Sequence, residues 1–370
     1  MQHLPVYYFT NPRGVRVLAS TVVLASVFWI FYQWSSTVDG ATRFSRDAIH
    51  DIQNKTLGFG AILLISLDFR TDRRDALTLI TSTSDIEITE VIDGVRGESI
   101  HEKAHPTGEW PERVDMSHLG SWRSHMNALK YIIDNQIETA LIVEDDVDWD
   151  VHVKSQLNSF AHGLRNSNLR SLYTPQEIQY APYGLDWDTL HLGTSRTGMA
   201  PAPLDDLYAL YHDPYRTPPE LIAHKDACGE KDWYCWADMM THTSCNDNSR
   251  VLYPTYSSVG LVAFAVTLLG AQRLLYELSW VGLNTSLDYS IRGLHTRGAL
   301  HGWTVTPPIM SSWVTGDGAD SDLTNDGKGR TGVPRHGNLG GEGKGLGWSA
   351  RKALTGRLTR EDYWKGPHGW

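Results

Sequence analysis

The chain has 370 residues, 41% of them hydrophobic, enough for an enzyme-sized core in one large domain or two smaller ones. A formal charge of −10 excludes a general nucleic-acid binder, which needs a basic face. The 14 Trp and 16 Tyr suit sugar-stacking surfaces but serve ordinary cores and turns equally, so they decide nothing alone.

After residues 1–14, the run from Val15 to Tyr32, "VRVLASTVVLASVFWIFY", is apolar with one charge, Arg16, at its start. It is roughly as long as a bilayer-spanning helix needs to be. Arg13 and Arg16 precede it, while Trp29, Tyr32 and Trp34 crowd its far end, the flanks expected of a span with its basic side in the cytosol. A cleavable signal peptide has a shorter apolar core and a small-residue cleavage site. The expectation is a type II anchor over 15–34, with 1–14 cytosolic and the rest in the lumen of the Golgi or endoplasmic reticulum. The sequons Asn54-Lys-Thr and Asn284-Thr-Ser fit that compartment. Residues 35–58, polar and without a clear period, read as a stem.

"AILLISLD" (61–68) is a compact strand, followed by helix-like spacing in "RTDRRDALTLITSTS". "IEITEVIDG" (86–94) is a second strand. Leu119, Trp122, Met126, Leu129, Ile132 and Ile133 form the apolar stripe of a helix over 117–135. "TALIVED" is a third strand, 151–164 a helix, and "WDTLHLGTS" (187–195) a fourth strand. Residues 196–256, rich in Pro, Tyr and Asp, read as an insertion packed over the site. "SVGLVAFAVTLLGAQRLLYEL" returns to strand then helix, "LDYSIRGL" is a short helix and "WTVTPPIM" a last strand. The main domain is expected over 59–313. Residues 314–370, Gly-rich and polar, read as a largely flexible tail. Strands alternating with helices, apolar enough for burial on both faces, predict an α/β fold with a mostly parallel sheet and ligands beyond the strands' carboxyl ends.

"TALIVEDDVDWD" ends such a strand in Glu144, Asp145 and Asp146, with Asp148 and Asp150 close behind. Carboxylates this close repel by roughly 1 kcal/mol per pair even in water. A divalent cation turns that repulsion into attraction, and magnesium or manganese typically takes one or two carboxylates plus substrate phosphate oxygens. A helix-loop-helix calcium loop starting at Asp146 would need Gly and Glu where Val151 and Leu157 stand. An aspartyl phosphatase would want a hydroxyl or small residue where Trp149, Asp150 and Val151 follow. A solvated acidic turn is the bland alternative. Cys228, Cys235 and Cys245 lie in one stretch with His224 and His242. Their spacing matches no standard zinc pattern, and an oxidising lumen favours one disulfide, the pair unspecified.

The order "ISLDFRTDR", "EVIDGVRG", "LGSWRSHMNALKYI", "ALIVEDDV", "WDTLHLG", "GLVAFAVTLLGAQRLL", "LDYSIRGL" resembles glycosyltransferase family 25, over roughly residues 60–310. The anchor makes it look like a membrane-anchored member of the fungal type. The resemblance implies a GT-A-like (Rossmann-like) fold with helices on both faces, a UDP-sugar donor, often UDP-galactose, manganese (or magnesium) and inversion at the anomeric carbon. By that analogy Glu144 and Asp146 hold the metal and Asp145 lies near the sugar or ribose, with Asp146 and Asp148 as the alternative pair. Arg70, Asp72 and Arg73 stand where nucleotide contacts are placed, against an ordinary charged helix turn. Ser124 and His125 fall on the donor motif, His125 being as readily a buried structural residue. Asp288 is the candidate base for the acceptor hydroxyl, or else a helix cap. His295 or His301 would complete the metal shell. Trp122 stands near where the family often has a Cys. The implied acceptor is a glycan or glycoprotein. An inactive carbohydrate-binding scaffold and a metal-dependent phosphoester hydrolase are the rival classes.

Overall fold

The computed structural model describes residues 46–108, 115–169, 174–217, 248–315, 341–343 and 345–358, together with Ser26, Trp29, Thr243, Cys245, Ser321 and Asp322. The anchor expected over 15–34 lies outside these residues. Among the described residues no helix is long and apolar enough to cross a membrane.

The described residues from Ala48 onward make one unit. Its strands are β1 (Ala61–Ser66), β2 (Glu90–Asp93), β3 (Thr139–Glu144), β4 (Val147–Trp149), β5 (Thr189–Gly193), β6 (Ala209–His212), β7 (Ser249–Pro254), β8 (Ala263–Thr267), β9 (Gly302–Thr306), β10 (Met310–Val314) and β11 (Glu342–Gly343). Its α-helices are α1 (Thr71–Ser84), α2 (Met116–Asp134), α3 (Val153–Asn166), α4 (Pro175–Tyr180), α5 (Leu268–Leu275), α6 (Leu287–Thr296) and α7 (Ala350–Leu358). Eight strands form the main sheet in the order β2-β1-β3-β8-β5-β9-β7-β6, and β11-β10-β4 form a small second one. β8 and β7 run against their neighbours, so six of the eight strands point the same way. The sheet is mixed, and mostly parallel in direction.

Strand side chains alternate between faces, and here both faces are covered. Ile62 and Leu64 of β1 join Leu141 and Val143 of β3 beneath α1 and α3, where Leu77, Ile80, Leu157 and Phe160 meet them. Ala61, Leu63, Ala140 and Ile142 point the other way, into Trp122, Met126 and Leu129 of α2 and Leu274 and Ile291 of α5 and α6. That arrangement is why β1 and β3 read as unbroken apolar runs. The predicted stripe of the second helix is this buried face; Ile133 packs at its margin.

Three boundaries differ from expectation. Ile49, Ile52 and Leu57 belong to the first core, so nearly the last half of the supposed stem is part of the domain, which starts near Ala48 rather than 59. The region 196–256 contributes β6 and β7, which extend the sheet at the edge opposite β2. β7 and β6 lie four and five strand spacings from β3, about 19 and 24 Å away, rather than over the acidic cluster. The tail is not uniformly loose either: β11 and α7 pack on the domain, with Ser349, Ala350 and Arg351 buried. A further difference is that "WTVTPPIM" is two strands, because Pro307 and Pro308 offer no N–H to a ladder.

Candidate functional site

A cleft of about 360 Å³ opens at the carboxyl ends of β1, β2 and β3. β3 ends at Glu144, and Asp145 and Asp146 turn the chain across the rim before β4 begins. α1 starts beyond β1 so that Arg73, in its first turn, reaches over the strand ends. Its Nη1 donates to Asp145 Oδ1 at 2.5 Å, and both side chains are about nine-tenths buried. Burial alone would favour losing the Arg73 proton, but the charges of Asp146 and Asp145 outweigh it and hold the guanidinium protonated.

With Arg73 engaged by Asp145, Glu144 and Asp146 have less charge compensation. Burial, and then the charges of Asp146 and Asp145, push the Glu144 carboxyl up to about 8. Burial also raises Asp146, with Arg73 opposing, and Asp146 Oδ1 is buried without a hydrogen-bond partner. An orphaned carboxylate oxygen in the interior is costly unless something cationic or donating meets it. His125 stands beside them, its Nε2 3.8 Å from Glu144 Oε1. Its Nδ1 donates to the Ser121 carbonyl at 2.9 Å, which leaves Nε2 as the lone-pair nitrogen, buried and unpartnered. Burial pushes this imidazole down to about 4, so it is neutral at physiological pH.

Ser124 lines the cleft, but its hydroxyl is already engaged on both sides. It accepts from the Val95 N–H at 2.8 Å and donates to the Gly120 carbonyl at 2.7 Å. These bonds tie the 94–97 loop to α2 and leave the hydroxyl one further acceptor lone pair. The same loop needs Gly97, where a Cβ would fall 1.8 Å from the Met116 carbonyl oxygen. Gly97→Ala is therefore expected to lower the melting temperature by several degrees, since the loop must move off α2 at a cost of about 1–3 kcal/mol. A thermal melt checks this, and an unchanged midpoint would contradict the tight loop contact.

Arg70 and Asp72 sit beside the cleft and hold each other. Arg70 Nε and Nη2 donate to the two Asp72 oxygens at 3.0 Å, lowering the Asp72 carboxyl, and Nη1 reaches Asp322. Phe69 and Arg96, not singled out from the sequence, form one wall. The Arg96 guanidinium lies 4.6 Å from the Phe69 ring centroid, and Phe69 is 47% exposed. Such a surface suits a flat, electron-rich ring.

The rest of the acidic cluster serves another purpose. Asp148 is fully buried and accepts from Ser349 Oγ, the Arg351 N–H and the Trp149 N–H. Asp150 accepts from the His152 and Trp348 N–H groups. The pair Asp146 and Asp148 therefore does not converge on one ligand. Asp288 lies in the first turn of α6, where its Oδ1 accepts from Ser286 Oγ and the Tyr289 N–H. It is both a helix-start acceptor and close enough for its charge to act on His125 and Glu144. His295 and His301 are at the other end of the sheet. His295 Nε2 contacts Thr189 Oγ1 at the start of β5, and His301 Nδ1 donates to the Asp186 carbonyl. A strand of this length separates them from the rim by about 13 Å, so neither completes a metal shell with Glu144.

Among the described residues no group of three His, Cys, Asp or Glu stands ready to hold a metal. Glu144 and the orphaned Asp146 oxygen nevertheless fit the modest demand of magnesium or manganese, one or two carboxylates with phosphate and water supplying the rest. Of the cysteines, Cys245 is buried with Sγ 3.0 Å from the Ser249 carbonyl oxygen, while Cys228 and Cys235 lie outside the described residues.

Residues 59–187 match the model of glycosyltransferase family 25 (LPS biosynthesis protein), so the resemblance read from the sequence is shown over this stretch. The acidic turn, Arg73 and His125 fall inside it; Asp288 and Arg351 fall outside. The chain is 26% identical over 150 residues to procollagen galactosyltransferase 2 of Mus musculus, covering 38% of this chain and 21% of that protein. The Homo sapiens protein of the same name gives the same figures. Procollagen galactosyltransferase 1 of Danio rerio is 27% identical over 154 residues, 39% of this chain and 23% of its own. The chain thus spans about a fifth of the length of the curated relatives it matches.

Proposed function

We propose that this chain is a glycosyltransferase that moves a hexose from a UDP-sugar to a glycan or glycoprotein acceptor, with inversion. Galactose is the hexose its relatives' names carry. The observation that supports this most is the convergence of Glu144, Asp146 and the Arg73–Asp145 pair in one cleft at the strand ends. Glu144 and Asp146 would hold manganese or magnesium, whose positive charge offsets that developing on a departing diphosphate. Arg73 fixes Asp145 where it can accept from a sugar or ribose hydroxyl. The Phe69 and Arg96 wall offers a surface for the base. Asp288, the proposed base, would take the acceptor hydroxyl's proton on the face opposite the leaving group.

The test is a panel of UDP-sugars with manganese, scoring donor binding and UDP release by the full-length chain. One UDP-sugar should bind in a manganese-dependent way. No binding of any of them would remove this reading. The proposed setting is a type II anchor in the Golgi or endoplasmic reticulum. After carbonate extraction the chain should stay with membranes, and its C-terminus should resist protease in sealed microsomes. Soluble product trimmed near residue 35 would instead mark the first segment as a signal peptide.

A further inference from the structure

The Asp146 carbonyl of the acidic turn accepts from the Trp313 N–H of β10 at 2.7 Å, while the Asp145 and Val147 carbonyls on either side of it need donors of their own. The main-sheet ladder cannot supply them, because the chain leaves that sheet after Glu144. Arg351, at the start of α7 and 6% exposed, does so from about 200 residues away. Its Nη2 donates to the Asp145 carbonyl at 3.0 Å and the Val147 carbonyl at 2.9 Å, and its Nε reaches the latter at 3.2 Å. Ser349 and Trp348 tie the next residues through Asp148 and Asp150. A planar guanidinium with donors in a fixed fork suits two adjacent carbonyls; an ammonium does not.

We propose that Arg351 is a positioning residue for the donor and metal site. By holding the carbonyls of Asp145 and Val147, it fixes the direction in which Glu144 and Asp146 present their carboxylates to the cleft. This rests on the donor-site reading above. It also makes a segment beyond the family match part of the machinery.

The test compares the full-length wild type with Arg351→Met and Arg351→Lys. The control is Ile52→Ala, a core substitution that lowers the melting temperature without touching the turn. UDP binding with manganese is measured by calorimetry, thermal stability without metal, and amide exchange over residues 145–149 in the absence of ligand. Arg351→Met should bind UDP and manganese at least tenfold more weakly and exchange at least tenfold faster at the turn. The control should bind as wild type, and Arg351→Lys should recover part of the loss. Unchanged binding in Arg351→Met, or an equal loss in the control, overturns the proposal. If Arg351→Met does not fold, Arg351→Lys carries the same readings. If the wild type itself binds no UDP-sugar, the functional reading fails. Exchange at 145–149 then still decides the clamp: faster exchange supports it and unchanged exchange overturns it.

Discussion

Asp146→Asn should weaken manganese-dependent UDP-sugar binding at least about tenfold, some 1.4 kcal/mol, while the metal-free protein keeps or gains stability. The reason lies in what Asp146 lacks. Its Oδ1 is buried with no hydrogen-bond partner, and burial raises its carboxyl pKa despite Arg73 nearby. Asparagine nearly preserves the shape and removes the charge, so it removes the proposed metal ligand and a repulsion together. pH separates the two effects. Glu144 and Asp146 titrate higher in the folded chain than in the unfolded one. Their contribution to metal-free stability is therefore full below the ordinary carboxylate range, and is lost as pH rises towards about 8 for Glu144. Metal binding needs both deprotonated and tightens over the same window. Calorimetric titrations and melts between pH 5 and 8.5 should show the two trends crossing in the wild type and a flatter stability profile in Asp146→Asn. Equal metal-dependent binding in variant and wild type would end the metal reading.

Much of the scaffold was legible because burial on both faces leaves a plain mark. β1, β3, β5 and β8 are short runs with nearly every side chain buried, and the α2 stripe repeats at helical spacing. The rim was legible for a related reason: a buried strand ending in three carboxylates is costly without a partner. β4 was not. Val147, Asp148 and Trp149 form a strand with an aspartate at its centre, and the groups that make it tolerable, Ser349 and Arg351, lie some 200 residues on. No local pattern carries that information, and the Gly-rich sequence between them suggests the opposite. The histidines misled for a similar reason, since sheet direction and not chain order sets which end of the molecule they occupy. The Phe69 and Arg96 wall is built from two exposed loop residues with no period to announce them.

Arg73→Met is the other substitution with a large expected effect, and it tests whether the Arg73–Asp145 pair is more than scaffolding. Removing one partner of a buried pair leaves the other charge uncompensated, at a cost of about 3–5 kcal/mol. Asp145 is 6% exposed and its carboxylate meets Arg73 at 2.5 Å, so the variant should melt well below the wild type. Adding Asp145→Asn removes the stranded charge, and the double variant should regain about 2 kcal/mol or more of that loss. Donor binding should not return with it. Arg73 is the guanidinium that lines the cleft next to the acidic trio, and Asp145 is the acceptor it orients there. Urea melts of the single and double variants give the coupling energy; UDP-sugar titrations of the same samples give the function. A double variant that recovers both stability and binding would make the pair a structural staple, and the recognition of the donor would then have to rest on Glu144, Asp146 and the Phe69 wall alone.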